Sequence, residues 1–238
     1  MGELAMTVAM IVILVPVVVT LIDLPPGHDG YGRRAPNAPP RGNLRPSGVT
    51  RWALLRSFGF WTITAPFALA LLAQVGFIVH QIALLEPTTG RSLAAFAVTL
   101  TTTMALIGRL CLGLIVDRLD PRRVTAASAA TQAAALFVIA LTPDITSLLL
   151  ACAVYGFSIG NLITLPPLII QREFDAAAFG TVLGLSTAIG GIVSALGPGL
   201  VGLVHGATGG YATALALCLL LKLVAAVTVL QRPQRPPI

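Results

Sequence analysis

An all-α bundle of membrane-spanning helices is the fold class this sequence predicts, and three observations predict it. Hydrophobic residues make up 56% of the chain and charged residues 10%, whereas a water-soluble domain carries about 25% charged residues. Mean hydropathy is +0.90, which leaves too few polar groups to coat a surface in water. The apolar runs are each roughly 20 residues long and do not alternate, which suits helices crossing a bilayer and not the strands of about 10 residues that build a membrane barrel. Lipid offers exposed backbone groups no partners, so such runs must satisfy their own N–H and C=O groups as helices.

Seven spans are expected, at about residues 4–22, 57–80, 94–116, 124–142, 146–170, 178–203 and 211–230. The first is too long for a signal-peptide core. Glu3 stands before it with no Lys or Arg, and no small-residue cleavage site precedes Asp23. Residues 23–56 hold Pro25, Pro26, Pro36, Pro39, Pro40 and Pro46 among glycines and arginines; such a segment cannot bury enough apolar surface to fold and reads as a flexible linker. The chain therefore divides into one helix (1–22), a linker (23–56), a six-helix unit (57–231) and a tail (232–238).

Orientation follows from the arginines. The linker carries Arg33, Arg34, Arg41, Arg45, Arg51 and Arg56, the turn after the third span Arg118, Arg122 and Arg123, the turn after the fifth Arg172, and the tail Arg232 and Arg235. All lie on one side; the opposite side holds only Arg91. The positive-inside rule makes the rich side cytoplasmic and puts the N-terminus outside, in the cell (plasma or inner) membrane. The same placement accounts for the net charge of +6 without invoking nucleic acid. Cys111, Cys152 and Cys218 lie inside spans without metal-ligand spacing, and no Ser/His/Asp set or Gly-rich phosphate loop occurs. No enzyme, metal or cofactor is expected.

The turn after the third span reads Gly113-Leu-Ile-Val-Asp117-Arg118-Leu-Asp120-Pro121-Arg122-Arg123. It resembles the loop signature of the major facilitator superfamily, written roughly G-x-x-x-D-R-x-G-R-R, with Asp120-Pro121 standing where one Gly is usual. Gln74-Val75-Gly76 with His80 is similar to the seventh helix of such carriers, Gln171-Arg172-Glu173-Phe174 to the loop into the eleventh, and Gly197-Pro198 with Gly202 to the end of the eleventh. The resemblance covers nearly the whole chain as helices 6 to 12, the C-terminal portion of such a carrier. It implies a secondary active transporter working by alternating access, with protons or another ion for coupling. It also implies a missing N-terminal half or a homodimer, because one half cannot enclose a cavity alone. The alternative is a half-carrier, inert or dimerising, that transports nothing.

Gly113, Asp117, Arg118, Arg122 and Arg123 are expected to form a breakable cytoplasmic latch. In it Gly113 admits a neighbouring helix closely, and Asp117 finds compensation in the arginines or in the helix N-terminus near residues 175–179. Polar groups within spans are candidates for the solute. Arg109 lies eight residues before Asp117, about 12 Å along a helix, where a guanidinium calls for an anion. The Arg109-to-Gly113 spacing is similar to that in carriers of small carboxylates and organic anions within the superfamily. Gln74, Tyr155 and Asn161 are candidates because helices 7 and 10 line the cavity in that family. His80 is a candidate either as a proton-sensitive group or as a hydrogen-bonding residue between helices. Tyr155 and Asn161, six apart, do not share a helix face. Lys222 would snorkel partway or meet a neighbouring carbonyl. The partners expected are thus the lipid bilayer, a small organic solute that Arg109 would suit if anionic, and a coupling ion.

Overall fold

The computed structural model describes residues 51–232, apart from the side chain of Asp117. Among these residues the chain is helical, with no strand: α1 (Arg51–Leu55), α2 (Phe58–Thr89), α3 (Arg91–Ile115), a 3-10 turn (Val116–Arg118), α4 (Pro121–Leu141), α5 (Ile145–Glu173), α6 (Ala176–Ala195), α7 (Gly197–Thr208) and α8 (Tyr211–Thr228). Six helical stretches are long and apolar enough to cross a membrane, α6 and α7 together counting as one. The expected span at 4–22, most of the linker, and the tail beyond Arg232 lie outside the described residues.

Local chemistry sets the helix ends. Helix α2 runs nine residues past His80, because the apolar pattern continues and Pro87 falls only in the last turn. It stops at Gly90, whose φ of 79° is open to glycine at little cost. Asp120 is the N-cap of α4, its carboxylate accepting from the Arg122 backbone N–H at 3.0 Å, with Pro121 at the first helical position. The Asp120-Pro121 departure from the usual loop pattern is therefore a helix start of ordinary design. Asp144 caps α5 in the same way, accepting from the Ser147 N–H at 2.9 Å. That backbone hydrogen bond holds the Asp144 carboxyl below the usual carboxylate range. Helix α5 continues through Pro166 and Pro167 without interruption.

Lipid tails are as apolar as leucine, so packing here rests on close contact and internal hydrogen bonds. The closest seam joins α3 to α5. A Cβ added to Gly108 would lie 2.0 Å from the Phe157 carbonyl oxygen; on Gly156 it would lie 2.3 Å from Thr101 O, and on Gly160 2.2 Å from Ala105 O. Gly197 makes a similar approach to Leu72 O of α2, at 2.3 Å. Gly113 does not act this way. It is exposed, and a Cβ there meets nothing within 4 Å among the described residues. Among the described residues it is Gly108, one and a half turns earlier, that meets α5 closely, while Gly113 faces away from it.

Two apolar cores stack along the bundle. Phe60, Phe67, Leu162, Ile169 and Val229 fill the arginine-rich end. Phe77, Leu136, Tyr155 and Cys218 belong to the other. Helices α3 and α6 keep broad exposed faces, carrying Leu110, Leu114 and Ile192.

Candidate functional site

The arginine-rich end is organised around Arg122. Its position two residues after the cap of α4 turns the side chain inward, where it is 2% exposed. Nε donates to Oε1 of Glu173 at 2.6 Å and Nη2 to Oε2 at 2.7 Å, a bidentate pair with the last residue of α5. Nη2 also donates to Thr62 Oγ1 of α2 at 3.0 Å, and Nη1 to the carbonyls of Val229 and Gln231 beyond α8 at 2.6 and 2.9 Å. All five guanidinium donors thus have acceptors, and one side chain ties α2, α4, α5 and the end of α8.

The rest of the expected latch is looser. Arg118 and Arg123 are exposed, Arg123 reaching Asp120 only at 3.8 Å, and Asp120 also pairs with Arg232. Arg172 donates to the Leu119 carbonyl at 3.0 Å. Arg118, Asp120, Arg172 and Arg232, with Arg122 and Glu173, line a cleft of about 480 Å³. Asp117 lies in the 3-10 turn, and its side chain is outside the described residues. Glu173 and Thr62 escaped prediction as parts of the cluster. Glu173 carried one visible signal, a carboxylate on the same side as the arginine turn. Thr62 carried none.

Arg109 stands apart. It is exposed on α3, and its Nε donates to the Gly160 carbonyl at 3.4 Å. That contact exists because Gly160 has no side chain: a Cβ there would lie 3.0 Å from the Arg109 backbone nitrogen. Among the described residues no carboxylate pairs with Arg109. The guanidinium is therefore an open face of donors.

The other candidates do not gather around it. Tyr155 is 0% exposed and meets Phe77 edge-on, ring centroids 4.6 Å apart. Asn161 is buried and donates to Ser128 Oγ of α4 at 3.4 Å. Tyr155 and Asn161 point to different neighbours, as their spacing requires. Gln74 is buried in α2, and its Oε1 has no partner among the described residues. His80 sits between helices, Nε2 3.1 Å from the Pro198 carbonyl and Nδ1 3.3 Å from Tyr211 Oη, which is the interhelical role. Lys222 does not snorkel: it is 0% exposed and donates to the Ala70 carbonyl at 2.8 Å and to Gln132 Oε1.

A lipid-facing bundle with six spanning stretches and an arginine-locked end defines a multi-pass membrane protein. A sequence model of the Major Facilitator Superfamily matches residues 4–198 and residues 52–238, and the chain belongs to that superfamily. Its members are transporters rather than enzymes, and the chain is a transporter of this general class. No curated protein matches the chain.

Proposed function

We propose that this chain is the C-terminal portion, helices 6 to 12, of a secondary active carrier that moves a small anionic organic solute by alternating access. The observation that carries the reading is Arg109: a permanent cation on a spanning helix, exposed, and hydrogen-bonded among the described residues only to the Gly160 carbonyl at 3.4 Å. A guanidinium at that depth is costly unless it serves a pathway, and its fork matches a carboxylate in two-point geometry. On this reading the arginine-rich end faces the cytoplasm in the plasma or inner membrane. Arg122 holds the helices of the six-helix unit together there, and Arg118 and Arg123 stay free to engage and release as the carrier rocks.

The test is uptake in proteoliposomes by the purified chain, reconstituted so that two copies can pair and supply both halves of a cavity, using labelled lactate, pyruvate and benzoate with glucose as the neutral control. At least one carboxylate should accumulate and glucose should not. Arg109→Gln should cut that uptake roughly ten- to a hundredfold, the loss of one charged hydrogen-bonding partner, with insertion and melting unchanged. No uptake of any carboxylate by well-folded protein would favour the inert or self-pairing half-carrier.

A further inference from the structure

Lys222 is the only lysine in a chain with fourteen arginines. Wherever a fixed positive charge suffices, this sequence uses the residue that cannot lose its proton. The one titratable alternative is placed inside the bundle, with its side chain fully buried. The contrast with Arg122 is chemical: Arg122 meets a carboxylate, whereas the acceptors Lys222 meets among the described residues are dipoles, the Ala70 carbonyl of α2 and the Gln132 amide of α4. Its Nζ also lies 5.8 Å from the ring centroid of Tyr155 on α5. The titratable groups facing it are Tyr155 and, one turn earlier on its own helix, Cys218. Among the described residues no Asp or Glu pairs with it.

The surroundings suit both forms of the amine. As an ammonium, Lys222 has two oxygen acceptors and an aromatic face within cation–π reach. As a neutral amine it would keep one N–H on Ala70 O and present a lone pair that needs a donor. One buried donor of the amide beside it, the Gln132 Nε2, is without a partner among the described residues. Turning the Gln132 amide over replaces the oxygen that accepts from the ammonium with an N–H that donates to the amine. A burial site without a counter-charge penalises the charged form whenever helix movement removes either acceptor.

We propose that Lys222, with Gln132 and the Ala70 carbonyl, is a proton-binding site between α2, α4 and α8, loaded and unloaded as those helices shift. On release one N–H bond breaks, its electron pair stays on Nζ, and the proton passes to solvent water. That this proton is the coupling ion rests on the carrier reading above; the binding site itself does not.

Because the chain has a single lysine, labelling lysine with 15N at Nζ gives one signal from the full chain in lipid nanodiscs. Between about pH 5.5 and about pH 9.5 that signal should move from the ammonium to the amine position, a window in which an exposed lysine stays charged. Gln132→Leu, which removes an acceptor of the charged form, should bring the change to lower pH by about one unit or more. Gln132→Glu, which supplies a counter-charge, should hold the ammonium signal throughout, and it covers the case in which the leucine variant fails to fold. An ammonium signal unchanged across the window in the native chain overturns the site. Carboxylate uptake by a protein whose lysine never changes form leaves the carrier standing and removes the proton site. A lysine that changes form in a protein that moves no solute leaves the site standing and removes the carrier.

Discussion

Arg122 and Arg109 are the same side chain thirteen residues apart, and the bundle treats them in opposite ways. Arg122 follows a helix cap, points inward and directs every donor to three other elements of the fold. Arg109 leaves an exposed face of α3 and touches one carbonyl at 3.4 Å. The glycines around them divide similarly: Gly108 is pressed against the backbone of α5, and Gly113 has open space among the described residues. The side of α3 that packs is built for fixed structure, and the side that does not pack has room for exchange. What a charged residue does in this bundle is decided by the helix face it stands on.

Substitutions that test this contrast differ in size. The largest effect belongs to Gly108→Val, whose Cβ would fall 2.0 Å from a backbone oxygen that cannot swing away. The loss should exceed the usual overpacking cost of about 1–3 kcal/mol, read as a failure to elute as a single folded species in detergent. Next is Glu173→Gln, which leaves the Arg122 charge buried without a carboxylate. Removing one partner of a buried pair costs about 3–5 kcal/mol, and Glu173, 23% exposed, should fall near the lower figure in melting measurements. Replacing Arg122 and Glu173 together by methionine should cost less than Glu173→Gln alone, because no stranded charge remains. The smallest effect should come from Gly113→Ala, which gains about 0.5–1 kcal/mol from helix propensity with nothing to clash against. A destabilised Gly113→Ala would show that this face is packed after all.

The sequence made the spans legible because bilayer thickness imposes a length on each apolar run, and the helix ends drifted only where the rule is local. Helix α2 outran its expected end at residue 80 because nothing between Gln81 and Glu86 breaks a helix and Pro87 falls only in the last turn before Gly90. The arginine turn was legible as a cluster, since its members are neighbours in the chain. Its inner partner Glu173 lies 51 residues away from Arg122, and only folding brings them together. The roles of the glycines were not legible for a related reason. Gly108, Gly156 and Gly160 differ from Gly113 in rotation about the helix axis relative to a neighbour, and a single sequence does not contain the neighbour's position. Lys222 was visible as an intramembrane cation that could meet a carbonyl, as it does at Ala70; its second partner, the Gln132 amide, was not.

The account stands on Arg109 facing the solute, and thiol labelling one turn away tests that most directly. Gly113→Cys, in a Cys111→Ser background, places a thiol four residues from Arg109 on the open face of α3 while Arg109 itself stays in place. A charged, water-soluble maleimide should label it in proteoliposomes. The carboxylate that the protein transports should slow that labelling, and Arg109→Gln should abolish the protection. Labelling at one rate with and without every carboxylate tried would contradict the assignment of this face to the solute.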